Sequence, residues 1–207
     1  MLHKISEKIA CFFFDSNDEY PLEVYIYGIE LMVSSFIGTV LVFGLGVISG
    51  YIAESIIFML SLSAVRIFSG GYHANTYLKC NIIFVISAIF SFLCYKLYVL
   101  YLLQFNSLIS GILLLLSLTA VVFFAPVENV NKKINDSDRG KFKMLSAAVL
   151  FFEFLLCMLT YSLFRFYQVL IVLPTVFVVD ISILVEIILR KRRKKNDERE
   201  EGFEEGS

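Results

Sequence analysis

His73 and Cys80 are the residues of this chain whose types and spacing suggest catalysis, and both lie in SGGYHANTYLKC, residues 69–80. Cysteine attacks as a thiolate, and its free pKa of about 8.5 leaves most of it protonated at neutral pH. Histidine has an unperturbed pKa of about 6.5, so a nearby imidazole can accept the thiol proton. The pair therefore suggests nucleophilic catalysis, with Cys80 as nucleophile and His73 as general base.

The spacing of the two residues requires a break in the chain between them. On one continuous helix they would be separated by about 10 Å along the axis, whereas proton transfer needs a contact of about 3 Å. Gly70 and Gly71 supply the conformational freedom for a bend that folds His73 back over Cys80. Backbone N–H groups freed at such a bend could stabilise an oxyanion, and Arg66 could position a carboxylate or bind a lipid phosphate.

The same residues can also be interpreted without any catalytic role. A single cysteine in an apolar helix is commonly a small packing residue, a histidine in a connection is commonly only polar, and Arg66 fits a basic residue at the cytoplasmic end of a span. The spacing alone does not decide between the catalytic and the structural interpretation.

The composition predicts an all-α, polytopic integral membrane protein, since 58% of the 207 residues are hydrophobic and only 18% are charged. A bilayer core needs a helix of about 20 apolar residues. Dividing the apolar runs at turn and charge signals predicts six transmembrane spans, at 24–48, 51–68, 79–99, 107–125, 144–164 and 167–189. Net charge is only -1, and no nucleic-acid partner is indicated.

The basic residues predict the orientation of these spans. With the N-terminus in the cytoplasm, all 18 lysines and arginines except Lys96 and Arg165 fall on the inner side, as positively charged connections tend to do. Both termini and the glycine-rich connection are then cytoplasmic. Insertion is expected to depend on the spans, because the charged N-terminus does not resemble a cleaved signal peptide.

The two ends of the chain have different character from the spans. Leu2, Ile5, Ile9, Phe12 and Phe13 approximate helical spacing, which predicts an interfacial amphipathic helix within residues 1–20. Residues 190–195 are predicted to form a basic anchor at the C-terminal end of a single membrane domain, residues 1–195. The acidic segment 196–207 has little apolar content and predicts a disordered tail.

Other polar residues indicate packing or binding roles. Cys11, Cys94 and Cys157 have no histidine nearby and form neither a disulfide framework nor a metal signature, so no metal or other cofactor is predicted. Carboxylates inside predicted spans usually face the protein interior; they are Glu30, Glu54, Glu153, Asp180 and Glu186. Glu54 and Glu186 could reach an interface, whereas Glu30 and Asp180 could be protonated, cross-link helices by hydrogen bonds, or line a peptide path.

The segment RIFSGGYHANTYLKC, residues 66–80, resembles the signature of the AgrB family of membrane endopeptidases in the order and spacing of its arginine, glycine pair, histidine and cysteine. FAPVENVNKKI, residues 124–134, is similar to the segment that follows the fourth span of that family. The resemblance implies a quorum-sensing endopeptidase that cleaves an AgrD-type propeptide through a Cys80 acyl-enzyme. Closure of a thiolactone or lactone ring follows, with a homodimer as the expected assembly.

The resemblance also gives the basic segment a second possible role. Because AgrD-type propeptides have acidic tails, Lys132 and Lys133 are predicted to bind substrate, together with Arg139, Lys141 and Lys143. Membrane topology and lipid headgroup binding are the alternative explanation for the same charges.

Two functions from other classes compete with the peptidase. A small transporter or peptide exporter would use Glu30, Asp180 and Arg165 as a translocation route, with Cys80 incidental. A non-catalytic membrane partner of a sensor would form no acyl-enzyme. The sequence leaves the propeptide, the ring chemistry and any export of product undetermined.

Overall fold

The computed structural model describes residues 2–13, 21–71, 76–127 and 136–204, and seven α-helices account for most of them. In chain order they are α1 Leu2–Phe13, α2 Leu22–Ser49, α3 Ile52–Ser69, α4 Tyr77–Leu97, α5 Asn106–Phe124, α6 Asp136–Phe164 and α7 Val172–Glu204. A π-helical turn at Tyr98–Leu102 and a 3-10 turn at Leu103–Phe105 join α4 to α5, and a second 3-10 turn, Tyr167–Ile171, precedes α7. The all-helical fold class is confirmed.

Among the described residues, five segments are long and apolar enough to cross a membrane, whereas the sequence predicts six spans. The difference arises at the third of them, Tyr77–Phe124, whose 48 residues contain both predicted spans 79–99 and 107–125. A helix of that length would extend about 72 Å, roughly twice the bilayer core. The helical turns between α4 and α5 keep the segment continuous, although the predicted division between the two spans falls there.

Backbone conformation ends two helices between predicted spans that only two residues separate, at 49–50 and at 165–166. Gly50 has a φ of 76° and caps α2, donating its N–H to carbonyls in the last turn. Arg165 has a φ of 53° directly after the end of α6. A left-handed residue cannot continue a right-handed helix, so α2 separates from α3 and α6 from α7 at these positions.

Helix α7 is the central helix of the bundle and packs against α3, α4, α5 and α6. Most of its apolar stretch is buried, whereas the other spans bury much less of theirs. The outer helices present large apolar side chains on their surfaces, among them Phe36, Leu60, Ile86, Leu115 and Phe152. An apolar exterior of this extent fits a bilayer and would be unstable in water.

Both ends of the chain are helical in the described residues. Helix α1 occupies part of the segment predicted to be an amphipathic helix, and Phe12 and Phe13 are exposed on it. Helix α7 continues through Glu204, so helix extends into the acidic segment for which low apolar content predicts disorder.

The carboxylates inside the spans form hydrogen bonds or ion pairs with side chains, mostly on neighbouring helices. Ser61 of α3 donates to Glu153 of α6 at 2.8 Å, and Ser117 of α5 donates to Asp180 of α7 at 2.5 Å. Tyr95 of α4 lies within electrostatic range of Glu54 of α3, and Glu186 pairs with Arg190 at 3.5 Å within α7. These contacts support the interpretation that the carboxylates cross-link helices.

Ser117→Ala is expected to destabilise the bundle by about 1–3 kcal/mol, because it removes the donor to Asp180 Oδ2 inside an apolar environment. The other carboxylate oxygen, Oδ1, is already buried without a hydrogen-bond partner among the described residues. Thermal unfolding of the purified protein in detergent should show a lower midpoint. Thr119→Ala is the matched control on the same helix, because the Thr119 hydroxyl is exposed and donates only to Leu116 O of its own helix among the described contacts. Equal midpoints for the two variants would contradict the cross-link.

Candidate active site

Helix α3 ends at the glycine pair that the sequence identifies as a break. Gly70 has a φ of 75° and a ψ of -149°, and Gly71 has a φ of 134°. Side chains strongly disfavour such conformations, so glycine is required to leave the helix in this direction. The predicted bend at Gly70–Gly71 is thus present in the structure.

The segment after α5 packs directly on this break. Val127 forms an isolated parallel bridge with Gly70, and its N–H donates to Ser69 O at 2.9 Å. A Cβ added at Gly70 would lie 2.3 Å from Val127 O. The close contact joins the two segments that carry the family resemblance, which are far apart in sequence.

Cys80 lies in the first turn of α4, on the other side of the connection. Thr76 caps this helix by accepting a hydrogen bond from the Lys79 N–H at 3.4 Å, and the Cys80 N–H donates to Thr76 O at 3.0 Å. The Cys80 side chain is half-buried and forms no disulfide. The Cys80 residue is therefore only partly covered by the rest of the described chain.

Arg66 approaches both the break and the cysteine. Its side chain is half-buried in the last turn of α3, within electrostatic range of Cys80. Its Nε would lie 3.8 Å from a Cβ at Gly71, and Ser182 Oγ of α7 would lie 2.6 Å from the same atom. A guanidinium at this position would attract a thiolate at Cys80 or the oxyanion of a bound substrate.

The structure thus brings together four of the predicted site residues: Arg66, Gly70, Gly71 and Cys80. His73 lies outside the described residues, as do Lys132 and Lys133, so the predicted pairing of His73 with Cys80 stays a prediction. Cys157 is fully buried, and its Sγ lies 3.5 Å from Val169 O. That environment fits the packing role predicted for this cysteine.

Three neighbours of the site were not identified from the sequence. Val127 and Ser182 contact the glycine pair from other parts of the chain, and Tyr77 precedes Cys80 by one turn while donating to Glu30 at 3.0 Å. Valine, serine and tyrosine in apolar runs have no pattern that distinguishes them from ordinary packing residues. Val127 and Tyr77 lie within the two segments quoted for the resemblance, 124–134 and 66–80, but Ser182 lies in neither.

A cavity of about 350 Å³ lies between the C-terminal end of α5 and the start of α6. Its lining combines the aromatic residues Phe123 and Phe124 with the cations Arg139 and Lys143. Ala125 also lines it, two residues before the Val127 contact with Gly70. The cavity is therefore adjacent to the site and suited to an anionic peptide segment.

The residues that a transport route would use have local partners. Glu30 binds His3 and Tyr77, Asp180 binds Ser117, and the Arg165 guanidinium lies 5.9 Å from the centroid of the Tyr161 ring. Each of the three residues thus has at least one local contact that a structural role would explain.

Comparisons with known proteins agree with the resemblance. A family model described as accessory gene regulator B, AgrB, matches residues 3–188. An AgrB-like protein of Clostridium perfringens (strain SM101 / Type A) is 28% identical, over 77% of this chain and 77% of the relative. No solved structure matches the chain at a significant level.

Proposed function

We propose that this chain, which belongs to the AgrB family, is a membrane cysteine endopeptidase of quorum sensing that cleaves an AgrD-like propeptide. Membership of the family suggests AgrD processing. The observation that carries the finer proposal is the convergence of Arg66, the Gly70–Gly71 break and Cys80 at one end of the bundle. His73 lies in the short connection between the break and Cys80, which supports its assignment as the general base.

The proposed reaction begins with transfer of the Cys80 thiol proton to His73. The thiolate attacks the carbonyl carbon of the scissile peptide bond, and Arg66 stabilises the resulting oxyanion. The C–N bond then breaks, and the leaving amine takes its proton from the His73 imidazolium. The N-terminal part of the propeptide remains on Cys80 as a thioester, while the C-terminal tail is released.

Ring closure is the proposed second stage. An internal cysteine or serine of the propeptide gives its proton to His73 and attacks the thioester carbon, which forms a thiolactone or lactone. The C–S bond to Cys80 breaks, and the leaving Cys80 thiolate takes the proton from the His73 imidazolium. Exclusion of water and proximity of the internal nucleophile favour this step over hydrolysis. A half-buried Cys80 supports such a shielded site.

The basic cavity is proposed to bind the acidic tail of the propeptide. Arg139 and Lys143 supply opposite charge, and Phe123 and Phe124 supply apolar contact. The adjacent segment through Val127 leads from this cavity to Gly70. Lys132 and Lys133 belong to the same basic segment and are proposed to extend the tail-binding surface.

The last part of the proposed function is the orientation of the chain in the membrane. We place both termini and the site at the cytoplasmic face, with six crossings of the bacterial cell membrane and Tyr77–Phe124 contributing two of them. The distribution of lysine and arginine supports this orientation. A homodimer is proposed from the family alone.

Mass spectrometry of the acyl-enzyme tests the proposed function. Purified protein incubated with an AgrD-type propeptide should gain the mass of the N-terminal fragment on the peptide that contains Cys80. Hydroxylamine should remove this adduct, because it cleaves thioesters. Release of the C-terminal tail without any thioester on Cys80, even after rapid quenching, would contradict the covalent mechanism.

A further inference from the structure

Glu30 of α2 joins the N-terminal helix to the helix that carries Cys80. One carboxylate oxygen lies 2.7 Å from His3 Nδ1 of α1, and the other accepts the Tyr77 hydroxyl of α4 at 3.0 Å. The Glu30 side chain is 13% exposed, whereas that of His3 is 71% exposed.

Helix α2 holds α4 on both sides of Cys80. Tyr77 precedes Cys80 by one helical turn and contacts Glu30. One residue beyond Cys80, the Asn81 side chain approaches Gly38 so closely that a Cβ on that glycine would lie 2.9 Å from Asn81 Oδ1. The contact at Gly38 fixes the separation of the two helices, and the contact at Glu30 fixes the start of α4.

The placement of α1 supports a defined position for the carboxylate. Ser6 and Ala10 are fully buried, and they lie three and seven residues after His3, on the same face of α1. The face that carries His3 therefore packs on the bundle. Because His3 and Tyr77 each hold a different oxygen of Glu30, the carboxylate cannot rotate without losing one of them.

From this geometry we infer that Glu30 is a positioning residue for Cys80, acting through the Tyr77 hydroxyl. The inference rests on the proposed function, since Cys80 matters as the nucleophile. Glu30 itself does not act on the substrate. It limits local opening of the first turn of α4, so that the Cys80 sulfur keeps one direction of approach to the scissile carbonyl.

Alkylation by iodoacetamide tests the inference without a peptide substrate. A full-length variant that retains Cys80 and Cys94, with Cys11→Ser and Cys157→Ala, carries two cysteines on α4 that mass spectrometry can quantify separately. Tyr77→Phe and Glu30→Ala each remove the contact at the start of the helix. We expect the Cys80 alkylation rate to rise by about threefold or more, as loss of one hydrogen bond permits, while the Cys94 rate is unchanged.

Tyr101→Phe is the matched control, because it removes the hydroxyl of a tyrosine that is 70% exposed in the turn after α4. It should alter neither rate. If both cysteines react faster to the same extent in Tyr77→Phe and Glu30→Ala, or if the Cys80 rate is unchanged in both, the positioning role is wrong. These rates do not depend on cleavage, so the positioning inference and the peptidase proposal can fail separately.

In the active protein, the same substitutions should change turnover in a specific way. Tyr77→Phe is expected to lower kcat for an AgrD-type propeptide with little change in KM, because the hydroxyl contacts Glu30 and is not assigned to substrate binding. A rise in KM alone would indicate that Tyr77 binds substrate and would contradict the positioning role.

Discussion

Cys80→Ser should lower the rate of propeptide cleavage by about a thousandfold or more, which is the size of effect expected when a covalent nucleophile is removed. A serine hydroxyl is nearly the same size as the thiol but ionises far less readily, so helix α4 and its cap at Thr76 should keep their structure. Cleavage should be measured by mass spectrometry of the propeptide fragments. Thermal unfolding midpoints should be compared to show that the variant is folded.

Cys94→Ser is the control for this substitution. Cys94 lies on the same helix and is also half-buried, but it is close to the other end of α4. Its replacement should leave cleavage within about threefold of the unchanged protein, since surface and partly buried substitutions away from special features have small effects. Retention of cleavage by Cys80→Ser would exclude the nucleophile assignment.

The same variant separates the peptidase from a transporter. A transport route through Glu30, Asp180 and Arg165 would not need the Cys80 sulfur, so uptake or export measured in vesicles would survive Cys80→Ser. The contacts of these three charges favour local structural roles. Loss of cleavage with a normal thermal unfolding midpoint would therefore support the peptidase alone.

The helical architecture could be predicted from the sequence because membrane spans leave a strong local signal. Long apolar runs predict both ends of α2 and α3 and the end of α6 to within two residues, and Gly50 ends a helix as its position between two runs indicates. The start of α6 and the end of α7 lie well outside the predicted spans, because both helices continue into polar sequence. The division of Tyr77–Phe124 depends on geometry between α4 and α5, where apolar residues continue through the π and 3-10 turns. Hydropathy carries little information about such a junction.

The candidate site was only partly predictable, for a similar reason. Arg66, Gly70, Gly71 and Cys80 occur within 15 residues, so their proximity follows from local chain geometry. Glu30 and Val127 reach the same region through tertiary packing, over separations along the chain that spacing rules do not cover. Because Glu30 is an acidic residue in an apolar run, the sequence indicated a structural or functional role for it. Its contacts with His3 and Tyr77 depend on the packing of three helices and could not be predicted.

Gly70→Ala should reduce cleavage by about a hundredfold, although Gly70 has no chemical group that can take part in the reaction. At φ 75° and ψ -149° a side chain costs about 1–3 kcal/mol, and the added Cβ would lie 2.3 Å from Val127 O, a backbone atom that cannot rotate away. The segment at Val127 must then separate from the break. Displacements of about 1 Å near a reaction centre are sufficient for a hundredfold loss.

Gly50→Ala is the control that separates this steric effect from the general cost of a left-handed residue. Gly50 has a φ of 76°, nearly that of Gly70, but a Cβ there would meet no atom within 4 Å. It should lower the stability by about 1–2 kcal/mol and leave cleavage per folded molecule nearly unchanged. If Gly50→Ala and Gly70→Ala reduced cleavage equally, backbone strain alone would explain the loss, and the contact between Val127 and the glycine pair would have no part in shaping the site.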